Sequence, residues 1–489
     1  MSSKQRSSDP REVDRLLASG QASEAARVCR QWAQREPNNP YPWSGLARAN
    51  MTLGFFGEAR VASERLLALQ PMDVRIQYVL AISEHNTGRS DAAIERLRRL
   101  AEGRTALSED AAFALATVLE QSGRVDEFIA YVRAGGPWLR ADRAVALEAM
   151  CVAHEDRKAA IELALRAARS GSSPGVRRDA AFTAVQMLDA DGRYAEAFAV
   201  ARAAHADSTG PFDLGPMKLE MEAQRRAIDA IAARRSTDSG LQPSGAGAAI
   251  DNVLFILAAP RSGTTLLEQM LDRHSLVSGI GEYEGCLHIR RDADAMGIGL
   301  ERLAAMLPAD AERLRRQYLS EARARARPGS RWMVDKTLHA WRSLPWIART
   351  LPNARYVHLE RDPRDRAISM YLSNFHPRNW AFTSSLDAIR SFTGASRVVI
   401  EHATAALGLP AIRMQYEQLV DSPEDEIRRV LDHLGLEFEP EVLEPEGNRR
   451  TILTLSVHQV RRKINRSSIG RWKNYAFAFG PEWDALAGG

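Results

Sequence analysis

Two fold classes in series are predicted: an all-α helical repeat array over residues 11–235, and an α/β domain with a mostly parallel sheet over 250–489. Three observations predict them. Glycines recur at a fixed interval, with Gly20, Gly54 and Gly88 spaced 34 apart and Gly123 following 35 later. The apolar run Val253–Leu257 meets a loop of small residues, Ala258–Gly263, and then a helical pattern. Beyond it, short apolar runs alternate with helical stretches, the mark of a sheet built from crossover units.

The repeat region comes first. Five residues after each of the first three glycines stands an alanine: Ala25, Ala59 and Ala93. Gly192 and Ala197 repeat that offset, and Pro37 and Pro71 each lie 17 beyond their glycine. Trp43 and Leu46 open the next unit. A small residue lets two antiparallel helices approach closely, and a proline ends the second helix. This 34-residue pattern resembles the tetratricopeptide repeat. It is regular over residues 11 to about 104 and degenerate to about 210, where Phe128 stands in the alanine position. One helix pair cannot bury its apolar face alone, so neighbours stack. The resulting concave surface suits a protein or peptide partner; a helical spacer or a self-association module is the alternative. One more helix is expected over 212–235, then a Ser/Gly/Ala-rich linker over 236–249.

In the second half Val253–Leu257 reads as a buried strand, and Leu266, Leu267, Met270 and Leu271 share one face of the helix after it. Residues 278–284 read as a glycine-containing loop, and 300–327 as a charged helix. Strands follow at 332–334, at 356–359 and over Ile412, Met414 and Tyr416. Ser422-Pro423-Glu424-Asp425 reads as a capped helix start. The polar clusters 258–265, 335–337 and 360–369 all follow strands, and in a parallel sheet that places them on one ligand-binding edge.

Strand, tight loop and helix aim backbone N–H groups at an anion. Ser262, Thr264 and Thr265 add hydroxyls, Arg261 adds a charge, and Gly263 makes the turn. A nucleoside-triphosphatase loop would carry a first glycine and a lysine where this chain has Ala258 and Thr264. The loop can hold a phosphate but lacks the lysine that bridges β- and γ-phosphates. Arg361 after a strand, with Ser369 eight residues on, offers a second phosphate site. Two such sites suit an adenosine phosphorylated at both its 5′ and 3′ positions.

On these residues, 253–475 resembles the sulfotransferases, in the group that includes bacterial repeat-fused members and is similar to the tyrosylprotein sulfotransferases. The resemblance implies a P-loop-like α/β sulfotransferase domain using 3′-phosphoadenosine 5′-phosphosulfate (PAPS). It implies that Arg261, Ser262, Gly263, Thr264 and Thr265 hold the 5′-phosphosulfate, and that Arg361 and Ser369 hold the 3′-phosphate. Tyr416, and a late loop with Ser456, Arg471 and Trp472, are implied as further nucleotide contacts. It also implies in-line transfer to an acceptor hydroxyl on a peptide tyrosine, a glycan or a small molecule. Glu282 is the expected base, with Glu284 the alternative because Tyr283 separates the two, and His339 a third candidate. Lys336 and Arg261 are expected at the leaving oxygen. No metal is expected, since a sulfuryl group carries less charge than a phosphoryl group. A nucleotide kinase, with Asp335 as the magnesium-binding acid, and a non-catalytic nucleotide-binding scaffold are the rival functions.

Composition narrows the classes further. The 66 Lys and Arg nearly balance 62 Asp and Glu, giving a net charge of +4, too small for a general nucleic-acid coat. Cys29, Cys151 and Cys286 form no CxxC pair, so neither a disulfide framework nor a zinc knuckle is expected. The polar start and the lack of any run of eighteen apolar residues predict a cytoplasmic protein without a membrane span. The Ala- and Arg-rich composition suits a bacterial source.

Overall fold

The computed structural model describes residues 9–208, 210, 212–237, 251–283, 285–377, 380–448 and 463–487. Its described part falls into two compact units that divide between Ser172 and Ser173.

The first unit is helical: α1 (Pro10–Ala18), α2 (Ala22–Arg35), α3 (Pro40–Leu53), α4 (Phe56–Leu69), α5 (Val74–Asn86), α6 (Ser90–Glu102), α7 (Ser108–Gln121), α8 (Val125–Ala134), α9 (Val145–Val152) and α10 (Arg157–Ser170). The periodic glycines sit in the turns inside each pair, at φ between 70° and 84°, where a β-carbon is disfavoured. The alanines five residues later are fully buried where helices cross, and Phe128 is buried in the corresponding place. Three helix starts are capped by side chains: Asp9, Asn39 and Asp73 accept from N–H groups of the first turn, and Pro40 opens α3. Arg48 pairs with Asp14, Arg124 with Asp91 and Arg143 with Asp110, each reaching one repeat back. These partly exposed pairs each contribute on the order of 0–1 kcal/mol, so stacking of the apolar faces holds the array.

The second unit contains α11 (Pro174–Ala190), α12 (Tyr194–Ser208) and α13 (Gly215–Thr237), followed by the sheet and its helices. The three helices lie in the span expected for repeats, yet they join the sheet-bearing unit. Glu220 of α13 accepts from Arg290 at 2.8 Å and from Arg342 at 3.1 Å. His205 of α12 contacts the Tyr371 carbonyl at 2.9 Å. Of the expected linker, Ser236 and Thr237 end α13, and 238–249 lie outside the described residues.

Five strands, β1 (Val253–Leu257), β2 (Val277–Gly281), β3 (Trp332–Asp335), β4 (Arg355–Glu360) and β5 (Ala411–Gln415), form one sheet in the order β2-β3-β1-β4-β5. Every pairing is parallel. The central strands are apolar and covered on both faces, as all-parallel sheets require. Leu254 and Ile256 join a core with Leu267, Met270, Leu271, Val430 and Leu431, supplied by α14 (Thr264–Asp272) and α21 (Pro423–Leu434). Phe255, between them in β1, turns to the other face and meets Tyr356 and Tyr318, the latter on α16 (Pro308–Arg325). The remaining described α-helices are α15 (Gly285–Ala295), α17 (Leu344–Thr350), α18 (Pro363–Tyr371), α19 (Leu386–Leu407), α20 (Tyr416–Asp421) and the short α22 (Asp484–Ala487).

Four local expectations are corrected. Residues 277–281 form the edge strand β2, where a loop was expected; Ser-Gly-Ile-Gly has no apolar alternation, and pairing with β3 makes it a strand. Residues 300–305 form a 3₁₀ turn ahead of α16, because Pro308 starts the helix afresh. Tyr416 opens α20, while β5 stops at Gln415; Ser422 precedes α21 without a side-chain capping bond.

Candidate active site

Because all five strands run parallel, the segments that follow them share one edge. That edge collects Ala258–Gly263 after β1, Glu282 after β2, Lys336 after β3, Arg361 after β4 and Tyr416 after β5.

The loop after β1 is sharply turned, with Arg261 at φ 64° and Gly263 at φ 94°. A left-handed non-glycine residue costs on the order of 1 kcal/mol, a cost tolerated at functional loops. At 263 a β-carbon would stand 2.2 Å from Tyr416 Cδ2, so glycine is required by both backbone and neighbour. Ser262, Thr264 and Thr265 are buried, and Ser262 Oγ has no hydrogen-bond partner.

Four expected site residues form one connected group. Arg261 Nε donates to Ser369 Oγ at 2.9 Å. Arg361 Nη1 donates to the Arg261 carbonyl at 2.9 Å, and Nη2 donates to the Ser468 carbonyl. The Arg361 guanidinium lies over the Tyr416 ring, 4.7 Å from its centroid, and its Nε is buried without a partner. Burial, and then the charges of Arg361 and Arg471, push the Arg261 pKa down to about 10. Together the three guanidiniums concentrate a positive field on this edge.

Lys336, 3% exposed, donates to Glu282 Oε1 at 3.0 Å and lies 3.8 Å from Glu268 Oε2. Glu268 also accepts from the Gly281 N–H at 2.8 Å, tying α14 to β2. Two carboxylates thus offset the desolvation of the buried ammonium. The Glu282 side chain is 38% exposed, so it remains accessible from solvent. Asp335 is separate from this group. Its carboxylate accepts from the Thr337 N–H and hydroxyl and from Tyr318 OH, and burial pushes its pKa up.

The late segment reaches the same region. Gly470 and Trp472 donate main-chain N–H bonds to Asp365 of α18, at 2.6 and 2.7 Å. The Trp472 ring lies under the Arg364 guanidinium, 3.7 Å to its centroid. Arg471 pairs with Asp189 of α11 at 2.6 Å. Ser456 and Glu284 lie outside the described residues. His339 stands among aromatic rings, 4.5 Å from Trp380 and 5.8 Å from Phe392. Burial pushes its pKa down to about 4.

Sequence reasoning missed Glu268, Asp365 and Asp189. Glu268 had a signal: an acid between Leu267 and Met270 on an apolar helix, a placement that implies a buried pair. Asp365 and Asp189 had none, because their partners lie more than 100 residues away. Among the described residues, no group of three or more His, Cys, Asp and Glu could hold a metal ion. None of their helices is long and apolar enough to cross a membrane.

Comparison with known proteins bears on both units. Residues 254–440 match the sulfotransferase family and residues 16–82 the tetratricopeptide repeat. A protein of Aquifex aeolicus (strain VF5) is 31% identical over 45% of this chain and 30% of its own length. Protein-tyrosine sulfotransferase 2 of Gallus gallus is 24% identical over 45% of this chain and 62% of its own. The chain thus spans between about a third and just under two-thirds of these relatives. The sulfotransferase domain from the curacin biosynthetic pathway aligns with 49% of this chain and 97% of its own, at 22% identity and a TM-score of 0.34. This chain thus joins a region that matches the tetratricopeptide repeat to a region that matches the sulfotransferase family.

Proposed function

We propose that the sheet-bearing unit transfers the sulfuryl group of PAPS to an acceptor hydroxyl, without a metal ion. The observation that carries this reading is the direct linkage of Arg361, Arg261 and Ser369 beside the loop after β1. It supports a ligand with two separated phosphate groups, one on the loop and one on Arg361 and Ser369. The residues present fit such a ligand. Ser262 Oγ and Arg361 Nε are buried polar atoms without partners, and glycine at 263 lets the loop pack against the Tyr416 ring. Asp335, the acid a kinase would need for magnesium, has both oxygens engaged within the protein.

In this reading Arg261–Thr265 hold the 5′ end of the donor, while Arg361 and Ser369 hold its 3′-phosphate. Tyr416, Ser456, Arg471 and Trp472 complete the nucleotide site. The donor supplies an activated sulfuryl group. Glu282 takes the acceptor's proton, and Lys336 steadies negative charge on the leaving oxygen. The Glu282–Lys336 contact of 3.0 Å supports this pairing of base and cation. Glu282 is preferred to His339, whose ring is enclosed by aromatic side chains. The acceptor is a peptide tyrosine, a glycan or a small-molecule hydroxyl, and the repeat region binds a protein or peptide partner.

Equilibrium titration tests the reading. Adenosine 3′,5′-bisphosphate binds at micromolar concentration without magnesium, and ATP does not. Turnover of ATP with magnesium overturns it. Labelled-sulfate transfer screened over peptide, glycan and small-molecule pools then identifies the acceptor.

A further inference from the structure

Asp189, on the last turn of α11, lies outside the 254–440 match and inside the sheet-bearing unit. Both of its carboxylate oxygens are engaged. Oδ2 accepts from Arg471 Nη2 at 2.6 Å, and Oδ1 accepts from Tyr475 OH at 2.5 Å. Tyr475 is fully buried and meets Tyr194 of α12 edge to face, 5.3 Å between centroids. Burial and the Asp189 carboxylate keep its phenol protonated, so it stays a donor. The main chain on either side of Arg471 is held by Asp365, through Gly470 and Trp472. Arg471 is thus fixed in its backbone by α18 and in its side chain by α11. Its charge acts on Arg261, at the centre of the arginine group. The pair with Asp189 uses one of the five N–H donors of a guanidinium.

We infer that Asp189 is a positioning residue for the nucleotide site, holding Arg471 toward an anionic donor from a helix that the sulfotransferase match does not include. The inference rests on reading that site as a bisphosphonucleotide pocket. A free arginine loses rotamer freedom on binding a phosphate, and one already held by Asp189 loses less.

Calorimetric titration of adenosine 3′,5′-bisphosphate into the full chain tests it. Asp189→Ala raises Kd roughly tenfold, and Arg471→Ala raises it by a similar factor. Because the two act as one unit, the double variant binds no more weakly than Arg471→Ala. Tyr475→Phe, which removes one tether and keeps the ring, raises Kd about threefold. Should Asp189→Ala unfold, Asp189→Asn replaces it, with a smaller rise expected. An alanine or asparagine variant that folds and binds like the parent overturns the inference, as does full additivity with Arg471→Ala. If the parent binds no bisphosphate, the reading of the site falls as well. If the parent binds and Asp189 is indifferent, only this inference falls.

Discussion

The Arg361 guanidinium donates to the main-chain carbonyl of Arg261 at 2.9 Å, joining residues 100 apart in sequence. Adjacent strands explain it: β4 lies beside β1, so the segment after one meets the loop after the other. Arg361→Ala removes a charged donor and a brace of the loop together. The expected loss of bisphosphate affinity is about 2–4 kcal/mol, or roughly 30- to 1,000-fold. Ser369→Ala, which leaves Arg261 Nε without its acceptor, is expected to cost about 1–2 kcal/mol in the same titration. Unchanged binding in both variants would remove these residues from the site.

Glu282→Gln separates chemistry from binding. The amide keeps the shape and an oxygen for Lys336, but it cannot take a proton. Donor affinity should stay within about twofold, and kcat for sulfate transfer should fall roughly 10²- to 10⁴-fold. A variant that turns over normally would transfer the base role elsewhere.

At Gly263 the expected effect is steric. Gly263→Ala drives a methyl group into the Tyr416 ring and strains a left-handed residue. Bisphosphate binding should drop at least tenfold, while the far-ultraviolet circular dichroism spectrum stays that of the parent. Combining it with Tyr416→Ala should recover little, since the strain remains and the ring beneath Arg361 is lost.

His205 makes stability depend on pH. Burial lowers its pKa to about 4 in the folded state, against about 6.5 for an exposed histidine. Between those values the unfolded chain binds the extra proton, so stability is present above pH 6.5 and declines as pH falls toward 4. Going from pH 7 to 5 should cost about 2 kcal/mol from this residue. Urea midpoints measured across that range should fall less steeply in His205→Gln, which keeps a donor for the Tyr371 carbonyl and does not titrate.

In the repeat unit Ala59 and Ala93 are fully buried at helix crossings. Ala59→Leu should overpack its crossing and cost about 1–3 kcal/mol, visible as a lowered melting temperature. The exposed Arg48→Ala should change it little, since its pair with Asp14 is open to solvent.

Short-range pattern made much of this legible in the sequence. A glycine every 34 residues followed by a small residue marks helix pairs because turn and crossing recur together. The strand-loop-helix at 253–265 is equally local. Arg361 and Ser369 fall near that loop because a parallel sheet sends every strand end to one edge. The strand β2 was hidden, since its glycines carry no apolar period and its neighbour supplies the pairing. Asp365 and Asp189 were hidden because the N–H groups and the guanidinium they hold belong to the far end of the chain. The same distance hid the allegiance of α13, whose Glu220 meets arginines 70 and 122 residues away.

Module exchange between proteins has to respect that allegiance. A recombination breakpoint in the polar stretch near residue 245 would hand the recipient a sheet lacking the partners of Arg290, Arg342 and Arg471. A crossover between Ser172 and Ser173 keeps those ion pairs in one inheritable piece. The natural seam for shuffling the helical array therefore lies inside the stretch that reads as repeats, some 65 residues ahead of the Ser/Gly/Ala-rich segment at 236–249.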